Sequence, residues 1–127
     1  MNIKTINTDK APQAIGPYSQ AKLINGFIFT SGQIPLKPDG TLVEGNFEKE
    51  CIQVLENVKA VLESANSSLD NIIKLTVFLT DLNKFEILNQ VFMQYFTDSL
   101  PSRSTVQVSR LPKNSRVEIE AIGVVDA

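Results

Sequence analysis

The sequence predicts an α+β domain: a mixed β-sheet with two helices packed on one of its faces. Three observations carry that reading. Asn25-Gly26 joins two short apolar runs, two later segments repeat apolar residues at the helical period, and β-branched stretches lie between and after them. The order is hairpin, helix, strand, helix, then two closing strands. With both helices on one face, the other face must meet water or another subunit.

The first element is the hairpin. Ala21-Lys22-Leu23-Ile24 and Phe27-Ile28-Phe29-Thr30-Ser31 flank Asn25-Gly26, a pair suited to a two-residue turn because both positions need positive φ. Pro35 through Gly40 reads as a loop with Pro38-Asp39-Gly40 as its turn. A helix follows, with Phe47, Cys51, Val54, Leu55, Val58, Val61, Leu62 and Ala65 on one face. Asn46 suits its N-cap, and Glu48 and Glu50 suit the positive end of its dipole. Asn66-Ser67-Ser68 closes it.

Asn71 to Leu79 reads as a strand. Thr80-Asp81 begins a second helix whose apolar face is Leu82, Phe85, Leu88, Phe92, Tyr95 and Phe96, and Pro101 ends this section. Strands at Arg103 to Ser109 and Arg116 to Val124 close the chain, joined by the polar connection Arg110 to Ser115.

Composition narrows the function. The 127 residues make one domain, residues 1–127, with 43% apolar and 20% charged residues. A net charge of −2 gives no basic footprint for nucleic acid. Met1 to Thr5 lacks the apolar run of a signal peptide, and no stretch approaches the ~20 residues that cross a bilayer. The expectation is a cytoplasmic protein without a membrane partner, and the single Cys51 is compatible with a reducing compartment. Cys51 falls on the core stripe of the first helix and reads as buried filler.

The chain has no histidine. Ser-His-Asp and Cys-His catalysis are therefore excluded within it, and a common Cys/His zinc site is implausible. No phosphate-cradling glycine motif is present, so neither cofactor nor metal is expected. Acid–base work falls to carboxylates, Tyr, Lys or water.

Alternation along the closing strands puts Arg103, Thr105 and Gln107 on one side of theirs, and Glu118 and Glu120 on one side of the next. Ile122 and Val124 continue the glutamate side. The expectation is a mixed face carrying Arg103 and a carboxylate together. Two readings remain open at this point: a solvated face with weak cross-strand ion pairs, or a ligand site in which Arg holds a carboxylate and Glu serves as acid or base. Gly32, after Ser31, permits close backbone approach or simply ends a strand. Asn89, among Phe85, Leu88 and Phe92, needs a polar partner, structural or otherwise. Tyr18, after Gly16-Pro17, packs in a core or lines a site.

Five blocks carry a resemblance. Ala14 to Gln20 (AIGPYSQ), Thr30 to Pro35 (TSGQIP), Pro101-Ser102-Arg103-Ser104, Arg110-Leu111-Pro112-Lys113 and Val117 to Ala121 (VEIEA) occur in coherent order. The chain resembles the Rid family, the reactive intermediate deaminases of YjgF type, and within it the archetypal deaminase subgroup. The resemblance implies a chorismate-mutase-like fold and a homotrimer, with a central β-barrel and sites in clefts between subunits. It implies that Arg103 binds a substrate carboxylate and that Glu118 positions or activates water. Tyr18, Ser31 and Asn89 match site-lining positions, the backbone around Gly32 and Thr105 supplies polar contacts, and Glu120 is structural. Many members carry cysteine where this chain has Thr105, and the segment from Phe96 to Pro101 is shorter than usual.

The activity so implied is hydrolysis of 2-iminobutanoate and 2-iminopropanoate to 2-keto acids and ammonia. Pyridoxal-phosphate dehydratases release the parent enamines, such as 2-aminoacrylate, which damage other enzymes. A keto-acid-binding or chaperone-like protein without turnover is the alternative, and a ribonuclease or translation inhibitor a further one.

Overall fold

The computed structural model describes residues 2–126. Its strands are β1 (Lys4–Ile6), β2 (Ala21–Ile24), β3 (Phe27–Thr30), β4 (Ile72–Leu79), β5 (Ser102–Gln107) and β6 (Val117–Val124). Helices α1 (Phe47–Ser64) and α2 (Phe85–Tyr95) lie between them, and 3₁₀ turns occupy Leu69–Asn71, Leu82–Lys84 and Pro112–Asn114. The six strands form one mixed sheet in the order β1-β2-β3-β6-β4-β5.

The local signals form as expected. Asn25 and Gly26 take φ values of 50° and 81° and turn β2 into its antiparallel partner β3. The Asn46 side chain accepts the Lys49 N–H at 3.0 Å and caps α1. Helix α2 carries the chain across from β4 to β5, so these two strands run parallel. The last strand, β6, inserts between β3 and β4 and is antiparallel to both.

Both helices cover one sheet face. Leu75, Val77 and Leu79 of β4 and Val117, Ile119 and Ala121 of β6 point into that layer. They join one core with Val54, Val58 and Leu62 of α1 and Leu88, Val91 and Phe92 of α2. Among the described residues, no layer covers the opposite face. Phe27, Phe29 and Val106 there are each more than 40% exposed.

Two differences from the sequence reading concern packing. An additional strand, β1, pairs with β2. On the second helix, Leu88, Val91 and Phe92 are buried, whereas Leu82 and Phe85 stay exposed. Leu82 belongs to a 3₁₀ turn capped by Asp81, whose side chain accepts the Asn83 N–H at 2.9 Å. The apolar count therefore begins in a turn of different pitch; from Leu88 on, Leu88, Phe92 and Phe96 are buried as the spacing predicts, and Val91 joins them.

Polar side chains buried under the sheet fix the loops that border the clefts. Asn57 of α1 donates to the Ile34 and Leu36 carbonyls at 3.1 and 2.8 Å. Gln20 accepts the Thr8 N–H at 2.7 Å and donates to the Thr8 and Pro12 carbonyls. Glu50, 2% exposed, takes a bidentate ion pair from Arg116, whose guanidinium also lies over the Phe47 ring.

Candidate functional site

The ladder between β3 and β6 breaks at one place. Phe29 opposes Ile122, and the next bridge joins Gln33 to Ile119. Four residue steps on one side thus face three on the other, which is a bulge. The Thr30 hydroxyl accepts the Ala121 N–H at 3.0 Å where the regular ladder stops. The bulge brings Gly32 against the Glu118 side chain. A Cβ on Gly32 would stand 2.9 Å from Glu118 Cγ and overlap its carboxylate. Only glycine leaves room for that rotamer.

Glu118 lies in a cleft of about 290 Å³ with Ile15, Tyr18, Ser31, Gly32, Ile34 and Pro112. Burial raises the Glu118 pKa above the ordinary carboxylate range, and the charge of Glu120 raises it further. Among the described residues, no Lys or Arg forms a salt bridge with it. Tyr18 stands at the mouth, 46% exposed, its phenol oxygen accepting the Ile15 N–H at 3.2 Å. The Ser31 hydroxyl donates to the Ser19 carbonyl at 2.5 Å, so its proton is already committed.

Arg103 occupies a second cleft, of about 250 Å³, lined by Asn89, Phe92, Met93, Phe96, Leu100 and Pro101. Its guanidinium carbon lies 5.2 Å from the Phe85 ring centroid and 4.9 Å from that of Phe92. Burial lowers its pKa, and among the described residues no carboxylate pairs with it. The rings stabilise the positive charge without using the N–H donors. A half-buried cation of this kind gains most from an anion that replaces its lost water.

The expected single mixed face is corrected by the register. Arg103 pairs with Leu75 and Thr105 with Val77, so both face the helix layer. Glu118 pairs with Phe78, which puts it on the uncovered face. Tyr18, Ser31, Gly32 and Glu118 are thus gathered in one cleft, and Asn89 and Arg103 in the other. Thr105 is near Arg103 along β5 but does not line that cleft. Its hydroxyl is buried without a hydrogen-bond partner among the described residues.

Helical spacing does not reveal the aromatic platform under Arg103, because it assigns Phe85 and Phe92 to the core. It also misses the apolar wall of Met93 and Leu100. Their exposure, 65% and 80%, has no signature in the helical period. Among the described residues there is no group of three or more His, Cys, Asp or Glu able to hold a metal. Among the described residues, no helix is long and apolar enough to cross a membrane.

Comparisons agree over nearly the whole chain. The family model described as Endoribonuclease L-PSP matches residues 8–125. A RutC family protein of Pyrococcus abyssi is 49% identical over 120 residues, 94% of each chain. The 2-iminobutanoate/2-iminopropanoate deaminase of Homo sapiens is 45% identical over 122 residues, covering 95% of this chain and 89% of that one. Among solved structures, E. coli TdcF with bound serine is similar with a TM-score of 0.92 and 46% identity, covering 97% of this chain and 99% of that chain.

Proposed function

Because the chain belongs to the Endoribonuclease L-PSP family, the group of the YjgF and Rid proteins, we propose that it hydrolyses 2-imino acids to 2-keto acids and ammonia. The observation that carries this reading is the guanidinium of Arg103, charged, half-buried and, among the described residues, without a carboxylate of its own. It supplies the fork that a planar carboxylate binds in bidentate fashion. The deaminase names of mammalian relatives at 45–48% identity support the same chemistry.

In this mechanism Arg103 holds the carboxylate of the protonated imine, and ionised Glu118 takes a proton from water as its oxygen bonds to the imine carbon and the C=N pair moves to nitrogen. Glu118 then gives that proton to the carbinolamine nitrogen. The C–N bond breaks, ammonia leaves, the hydroxyl proton passes to Glu118 as the carbonyl forms, and Glu118 releases it to the ammonia or to water. No covalent enzyme intermediate is needed. 2-Imino acids also hydrolyse unaided, and each tenfold acceleration requires only ~1.4 kcal/mol.

Arg103 and Glu118 face opposite sides of the sheet, so one chain alone does not present both to one small molecule. We assign the complete site to a homotrimer, with the Arg103 cleft of one copy closing over the Glu118 cleft of the next. The exposed apolar face of Phe27, Phe29 and Val106 supports such an assembly. The family description names an endoribonuclease. A net charge of −2 and the lack of histidine favour the small-molecule reaction over RNA cleavage.

The test couples the purified protein to a threonine or serine dehydratase and traps unreacted imine with semicarbazide. The wild-type chain is expected to suppress the semicarbazone. Arg103→Ala is expected to lose at least about a hundredfold in kcat/KM, the worth of two charge-assisted hydrogen bonds. Undiminished activity in that variant refutes the role of Arg103. No acceleration by the wild type refutes the reaction.

A further inference from the structure

Resting on the reading of Arg103 as the carboxylate holder, we infer that Gln107 is a positioning residue for it, acting through Leu82 and Phe85. Arg103, Thr105 and Gln107 share one side of β5. Gln107 stands opposite Leu79, the last residue of β4. Its side-chain carbonyl oxygen accepts the Leu82 N–H at 2.9 Å. That bond ties β5 to the turn that leads into α2.

The turn explains the need for an outside acceptor. The first N–H groups of a helical turn have no partner within it. Asp81 satisfies two of them. Its side chain accepts the Asn83 N–H at 2.9 Å, and its backbone carbonyl accepts that of Lys84 at 3.1 Å. The Leu82 N–H is left over, and Gln107 takes it. At its other end, the Leu82 carbonyl accepts the Phe85 N–H. Leu82 is thus held between Gln107 and Phe85.

Phe85 carries the effect to the arginine. Its ring centroid lies 5.2 Å from the Arg103 guanidinium carbon, and that of Phe92 lies 4.9 Å away. Among the described residues no carboxylate pairs with Arg103, so the two rings orient its fork. Phe92 is packed in the core. Phe85, the first residue of α2, takes its place from the turn before it. A guanidinium binds a carboxylate through two parallel bonds, so the direction of the fork matters as much as its charge. All these contacts lie within one chain and hold the fork before a neighbouring copy closes the cleft.

The experiment titrates 2-oxobutanoate, a non-reacting 2-keto acid, into the purified protein by calorimetry. A ring over a partly desolvated cation is worth roughly two- to thirtyfold in affinity. Phe85→Leu and Gln107→Leu are each expected to bind at least about threefold more weakly than the wild type. Gln107→Glu keeps an acceptor oxygen and should stay within about twofold of it. The double variant Phe85→Leu with Gln107→Leu should bind no more weakly than Phe85→Leu, because both act through one ring. Full affinity in Gln107→Leu, no rescue by Gln107→Glu, or losses that multiply in the double variant overturn the inference. Arg103→Ala separates it from the reading it rests on. If that variant loses affinity while Gln107→Leu does not, only the positioning role falls. If Arg103→Ala binds as tightly as the wild type, or the wild type does not bind, Arg103 is not the carboxylate holder and both fall.

Discussion

Glu118 owes its raised pKa first to burial and then to Glu120, two residues along the same strand face. A carboxylate that must be ionised to accept a proton from water sets the acid limb of the rate profile. That limb is expected above the ordinary carboxylate range. Glu120→Gln removes a negative neighbour, disfavours the ionised Glu118 less, and so lowers its pKa. The acid limb of kcat/KM should then move to lower pH, with little change on the neutral plateau; an unmoved limb removes Glu118 as the titrating base. Cys51 sits at the other extreme. Burial pushes its thiol up to about 12, so it remains protonated at neutral pH and is no nucleophile.

At the scale of elements, the bulge between β3 and β6 connects sequence to site. Gly32→Ala places a methyl where the Glu118 carboxylate lies, and that side chain must take another rotamer. Displacing a reacting group by about 1 Å costs on the order of a hundredfold in rate. Kinetics with circular dichroism should show that loss with the secondary structure retained; full activity in the variant uncouples the bulge from the chemistry. Much of this framework was legible in the residues: the Asn25-Gly26 turn, the Asn46 cap and the α1 stripe all rest on local rules. Strand β1, only Lys4–Ile6, has too few apolar residues to declare itself. Its existence depends on the edge of β2. The relative facing of Arg103 and Glu118 was not legible either. β5 and β6 never pair with each other, so their sides are related only through the register each keeps with β4. Alternation within a strand carries no such information.

At the scale of the molecule, the proposed assembly uses the uncovered sheet face for association, and one chain holds only halves of the proposed site. Closed rotational assemblies of identical chains bury such a face without leaving an open end. If the two halves come from neighbouring copies, damage to one can be repaired by mixing. Arg103→Ala and Glu118→Gln homotrimers should each be nearly inactive. Unfolding them together in equal amounts and refolding scrambles the subunits at random. About one interface in four then joins an intact arginine to an intact glutamate. Roughly a quarter of wild-type turnover should return from two dead parents, a complementation that no arrangement confined to single chains can produce.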